Sequence, residues 1–223
     1  MSLFAAHVGK MEAHVICDTL GYRGDGSLYG IALKARPLSP RNAVLAGLGA
    51  YAPYDAIVNR LMQVFGNLDE LAENLPRIAR EEWSRYWNAD LAAAAEYLGY
   101  ARSDLDVGKL QLALVGYSSA AQQFVVYACM NTGGQDFNLM HYRPPQFVTG
   151  PPVDLTSINA KKPRLPEDLT TVGKRQYQLI QESGVGCGGE LLHYRIKRHY
   201  LQTKVIHEFP NYQEAMQELK EHE

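Results

Sequence analysis

Leu3-Phe4-Ala5-Ala6-His7-Val8-Gly9-Lys10-Met11-Glu12-Ala13-His14-Val15-Ile16-Cys17-Asp18 follows directly on Met1-Ser2. Leu3–Val8 and Ala13–Cys17 are short β-prone runs, and Gly9-Lys10-Met11-Glu12 between them supplies a turn, so the stretch predicts a β-hairpin. Its second strand ends on Asp18. Beyond it, Gly24-Asp25-Gly26-Ser27 is a turn cluster. Leu28–Leu33 predicts a strand ending at Lys34. Pro37 and Pro40 punctuate the connection to Asn42–Ala46, another strand, which Gly47-Leu48-Gly49 closes. The chain therefore opens on strands.

The middle predicts helices. Pro53 suits a first helical turn, and Ala56, Ile57, Leu61, Val64 and Phe65 recur at helical intervals up to Gly66-Asn67. A second helical stretch runs from about Leu68 to Leu98, with an interruption expected near Pro76 and core packing expected for Trp83 and Trp87. Strands return at Leu110–Gly116 and Gln123–Cys129. Phe137 to Pro166 holds six of the eleven prolines and predicts an irregular loop. A helix from Leu169 to Glu182, a hairpin of Glu190–Ile196 and Leu201–Phe209, and an amphipathic helix over Tyr212–Lys220 complete the chain. Two strand-rich blocks with grouped helices argue an α+β class rather than alternating βαβ units. The expected architecture is a single domain over residues 1–223, a four-layer αββα sandwich of two antiparallel sheets with helix pairs outside.

Composition narrows the function classes. A formal charge of −2 gives no general attraction to nucleic acid or anionic membranes. No apolar run approaches the roughly 20 residues of a membrane-spanning helix, and the start lacks the charged and apolar regions of a signal peptide. A soluble cytoplasmic protein without nucleic-acid or membrane partners is expected. Cys17, Cys129 and Cys187 are widely spaced with no CxxC, which suggests neither a disulfide framework nor a zinc site. His193, His199 and His207 fall on the late hairpin, but their spacing alone points to no metal, and no cofactor is expected. Gly184 to Gly189 satisfies GxGxxG, yet it follows a helix and precedes a strand, the reverse of a dinucleotide fingerprint. A GxxxxGK[ST] phosphate loop is absent from the sequence.

Ser2 is the candidate nucleophile, on the strength of its spacing to Asp18 and Lys34 rather than of the Met-Ser start itself. Initiator methionine is generally removed before a small residue, which would leave Ser2 with a hydroxyl and a free α-amine on one Cα. Such an amine has a pKa near ~7.7–8.0, so part of it is an unprotonated base at neutral pH. Nucleophile and base then come from one residue. Asp18 lies sixteen residues after Ser2, and Lys34 sixteen after Asp18.

That spacing, with Val15-Ile16-Cys17-Asp18-Thr19, Asn42-Ala43-Val44-Leu45-Ala46-Gly47-Leu48-Gly49 and the helix over Tyr54–Leu61, resembles the proteasome-like N-terminal-nucleophile hydrolases, the superfamily of proteasome β subunits and the bacterial peptidase HslV. Ala113–Tyr117 and Gly188–Leu191 echo later strands of that fold. The resemblance implies acyl transfer from a peptide or other amide. Ser2 attacks, Lys34 lowers the proton affinity of the amine and hydroxyl, Asp18 orients Lys34, and the N–H at Gly47, or alternatively Gly49, stabilises the oxyanion. It also implies a homo-oligomer, a ring among its forms, working beside a separate ATP-dependent unfoldase. Two departures stand out: serine replaces the usual threonine, and Gly184 and Cys187 occupy the places of the family's late aspartate and serine. The alternative is a catalytically inactive scaffold or interaction protein that keeps the fold.

Overall fold

The structure, a computed structural model, describes residues 3–23, 26–91, 93, 110–131, 136–144, 146–154, 166–183 and 186–221. The opening hairpin forms as β1 (Phe4–Val8) and β2 (Ala13–Asp18), antiparallel, with Phe4 opposite Cys17 and Val8 opposite Ala13. Every residue of both strands is buried, so both faces of the hairpin are covered. Its edges are extended by β10 (Gln146–Gly150) beside β1 and by β11 (Glu190–Lys197) beside β2. With β12 (Tyr200–Glu208) outermost, the first sheet has the order β10-β1-β2-β11-β12.

A second sheet has the order β5 (Ala35–Leu38), β6 (Ala43–Leu48), β7 (Gln111–Ser118), β8 (Gln123–Asn131) and β9 (Phe137–Tyr142). A two-stranded ribbon, β3 (Leu20–Tyr22) and β4 (Leu28–Ile31), lies between β2 and β5 in the chain. The class is α+β, with three antiparallel sheets and four α-helices among the described residues.

Strand alternation decides what each face meets. Phe4, Ala6, Val8, Val15 and Cys17 share one buried cluster with Val44, Ala46, Ala113, Val115 and Phe124 of the second sheet. Leu3, Ala5 and Ile16 belong instead to a cluster with Leu169, Val172 and Ile180 of α3 (Pro166–Glu182). Leu45, Leu112 and Leu114 pack with Ile57 and Leu61 of α1 (Tyr51–Gln63) and with Leu71, Leu75, Ile78 and Trp83 of α2 (Leu68–Arg85). The last helix, α4 (Tyr212–Glu221), packs Ala215 against Leu20 and Leu28 of the ribbon.

Three local expectations are corrected. Pro76 does not interrupt α2, which starts on an Asn67–Glu70 capping box and runs through it. The buried stripe from Leu68 to Trp83 offsets the roughly 3 kcal/mol that an interior proline costs. A π-helical turn, Tyr86–Leu91, follows, and the expected extension toward Leu98 falls largely outside the described residues. The proline-rich segment expected to be irregular holds β9 and β10. Pro144 and Pro151 flank these strands, and both strands are sheet edges, where a missing N–H costs no ladder bond. For the same reason Pro37 sits within β5, also an edge. Among the described residues no helix is long and apolar enough to cross a membrane.

Candidate active site

Asp18 ends β2 with its side chain fully buried, and three donors converge on it. The Leu3 N–H donates to Oδ1 at 2.9 Å, the Gly188 N–H to Oδ2 at 3.0 Å, and Lys34 Nζ to Oδ2 at 2.6 Å. Each has a structural origin. β1 runs antiparallel to β2, which returns the chain start to the end of β2. The ribbon leaves β2 at Thr19 and comes back through Ala32, whose N–H donates to the Thr19 carbonyl at 2.7 Å, so Lys34 arrives beside Asp18. Lys34 is 5% exposed and also donates to the Leu20 carbonyl.

The Gly188 turn depends on glycine. Gly188 has φ 136° and Gly189 φ 82°, a region side chains rarely adopt. A Cβ on Gly188 would lie 2.2 Å from Asn211 Oδ1. In that conformation the Gly188 carbonyl accepts from Thr19 N–H and Leu20 N–H, both at 3.1 Å, while its own N–H reaches Asp18.

Of the sequence-derived site residues, Asp18 and Lys34 are thus joined directly, and Ser2 lies outside the described residues. Gly47 sits beside Lys34, but its N–H donates to the Lys34 carbonyl at 2.8 Å as part of the β5–β6 pairing. Its lack of a side chain serves packing. A Cβ there would lie 2.4 Å from the ring of Tyr54, whose hydroxyl donates to the Leu45 carbonyl at 2.9 Å. Gly49, the alternative, has φ 118°, and among the described residues its N–H has no backbone acceptor.

Lys34 opens onto a cleft of about 600 Å³, lined also by Gly49, Tyr22, Tyr29, Tyr51 and Tyr54. The aromatic lining was not foreseen from the sequence, because it comes from two distant elements, the ribbon and α1. Neither nearby cysteine competes as a nucleophile. Burial, and then the negative charge of Asp18, pushes the Cys17 thiol far above its ordinary range, and the same causes push Cys187 up to about 12.

The histidines form a different arrangement from the one considered on the late hairpin. His193 of β11 meets His14 of β2, Nε2 to Nδ1 at 2.9 Å, and His14 Nε2 lies 3.2 Å from Glu12 Oε1. The two rings lie within 11° of parallel. Among the described residues no group of three or more His, Cys, Asp or Glu is placed to hold a metal ion.

No family model matches the chain, and no curated protein matches it. A solved structure does: the Anbu (Gly-1) mutant from Hyphomicrobium sp. strain MC1 matches with a TM-score of 0.57 at 12% identity, over 100% of this chain and 94% of that one. At that identity the likeness is one of fold alone. The expected kinship with HslV and proteasome β subunits is therefore corrected: the chain matches no family model, and what it shares with Anbu is an architecture.

Proposed function

We propose that this protein is an N-terminal-nucleophile amidohydrolase that uses Ser2, once Met1 is removed, to cleave peptide or small amide bonds. One observation carries the reading. A single buried carboxylate, Asp18, ties the chain start, through Leu3 N–H, to the Lys34 ammonium at the wall of an open cleft. In this reading residues 1–223 form one domain with αββα layering.

Ser2 Oγ bonds to the amide carbonyl carbon and its proton passes to the Ser2 α-amine, directly or through one water. The positive charge of Lys34 disfavours protonation of that amine in the resting state. The oxyanion is met by the Gly49 N–H, since Gly47 has committed its own to Lys34. One such donor is worth ~2.7–4 kcal/mol of transition-state stabilisation. The amine then gives its proton to the leaving nitrogen as the C–N bond breaks. Water, deprotonated by the same amine, cleaves the ester and restores Ser2.

The reading carries with it a homo-oligomeric, ring-like assembly and, for folded substrates, a separate ATP-driven unfoldase. The inactive scaffold is its rival. Intact mass and N-terminal sequencing of the native protein should show Ser2 as the first residue, and peptide hydrolysis should vanish in Ser2→Ala while folding persists. A native chain that keeps Met1, or turnover unchanged in Ser2→Ala, refutes the mechanism.

A further inference from the structure

We infer that the cleft selects a neutral aromatic or bulky aliphatic side chain, packed onto the paired rings of Tyr29 of the ribbon and Tyr51 of α1; only the cleavage that follows binding rests on the hydrolase reading. Tyr29 and Tyr51 both line the cleft and pack on each other, with ring centroids 6.3 Å apart and planes 48° apart. Tyr51 continues to Tyr54 at 6.0 Å and 47°. The rings form a tilted series from rim to floor. Tyr54 is 2% exposed and anchored by its hydroxyl, whereas Tyr29 is 55% exposed at the rim. A large aromatic left that open beside a second ring is a surface with contact area to offer, and a tilted pair accepts a third ring on its outer side by edge-to-face packing.

Charge points the same way. Lys34 is engaged by Asp18, and Asp55 on the cleft wall is engaged by Arg36 at 2.9 Å. Among the described lining residues no uncommitted charge is left to meet an acidic or basic substrate group. Inside the cleft such a group would lose water without gaining a partner; the Arg23 guanidinium, which donates to the Leu28 carbonyl, lies over Tyr29 only at the rim, 5.8 Å from the ring centroid. At about 600 Å³ the cleft falls within the roughly 300–1,000 Å³ of small-ligand sites. It therefore has room for one large side chain and the flanking peptide.

Binding and cleavage are measured separately. The Ser2→Ala protein is titrated calorimetrically with acetylated tetrapeptide amides that differ at one residue: Phe, Leu, Asp or Lys. Phe and Leu peptides should bind tighter than Asp and Lys peptides by roughly tenfold or more. Tyr29→Ala, at an exposed position, and Tyr51→Ala should each erase most of that margin, and Tyr51→Phe should keep it. Equal affinities across the four peptides, or a margin untouched in Tyr29→Ala, overturn the inference even if Tyr51→Ala does not fold. In the protein with Ser2 intact, kcat/KM on fluorogenic peptides with the same residue at the scissile carbonyl should follow the same order. Selective binding with no cleavage of any peptide sinks the hydrolase reading and leaves the selectivity standing.

Discussion

Replacing Lys34 by methionine strips the buried Asp18 carboxylate of its cation and leaves it the N–H groups of Leu3 and Gly188. Breaking a buried ion pair from one side typically costs ~3–5 kcal/mol, because the remaining charge stays desolvated. With two of its three donors kept, Asp18 falls at the low end, so the expected loss is about 3 kcal/mol. Domain stabilities run ~5–15 kcal/mol, so the variant should fold but unfold at a urea concentration lower by about 1 M or more. Adding Asp18→Asn removes the stranded charge while keeping the shape of the side chain. The double variant Asp18→Asn/Lys34→Met should then be more stable than the sum of the single losses allows, by ~1–3 kcal/mol. In the same samples, turnover on peptide substrates should fall by roughly 10²–10⁴ when Lys34 is lost. A Lys34→Met protein within ~1 kcal/mol of the parent, or losses that simply add, would refute the reasoning that this pair is a buried, mutually dependent unit.

Gly47→Ala should destabilise by ~1–3 kcal/mol, seen as a lower Tm in calorimetry, because its Cβ meets the Tyr54 ring at 2.4 Å. Tyr54→Leu in the same background should recover part of that loss, and a Gly47→Ala protein as stable as the parent would show that the ring can step aside freely. The histidine pair predicts a pH dependence. Burial holds His193 down to about 4 and holds His14 below the ordinary histidine range. Unfolded histidines take up protons near ~6.5 while the folded ones remain neutral, so the unfolded state binds more protons and stability falls as pH drops from about 6.5 toward 4. His193 alone accounts for roughly 3 kcal/mol across that window. Urea midpoints at pH 8, 6 and 5 should decline in the parent and flatten in His193→Leu; equal midpoints in the parent would contradict the burial of the pair.

The opening hairpin was legible in the sequence because its two apolar runs and its turn are contiguous, and both strands lie within a residue of where they were expected. β10 was not, since it becomes a strand only by pairing with β1, Phe4 opposite Gly150, across more than a hundred residues. β5 was hidden by Arg36 and Pro37, residues tolerated there because the strand is an edge. In the site, Asp18 and Lys34 were legible as side chains at a telling spacing. Their other partners, the N–H groups of Leu3 and Gly188, are backbone groups that every residue type but proline carries, so no residue type announces them. The choice between Gly47 and Gly49 turns on where the pairing with β5 stops: the Gly47 N–H is taken by the Lys34 carbonyl, whereas Gly49 lies beyond the end of β6, and residue identity reveals neither.

The Asp18–Lys34 pair by itself does not argue for catalysis, because it also holds the fold together. Asp18 joins β1, β2, the turn before β11 and the chain leading into β5, and a protein that had lost its activity would still need those ties. What a structural tie does not require is an opening beside it. Excluding water strengthens the attraction within a buried pair, and yet Lys34 forms part of the wall of an approximately 600 Å³ cleft lined also by Gly49 and a row of tyrosines. A scaffold free of functional constraint would gain stability by closing that space with larger side chains at Ala32, Ala50 or Ala52, all on its lining. The cleft stays open beside the buried Lys34 ammonium, which Asp18 ties to the Leu3 N–H, and it is on that juxtaposition that the proposed hydrolysis rests.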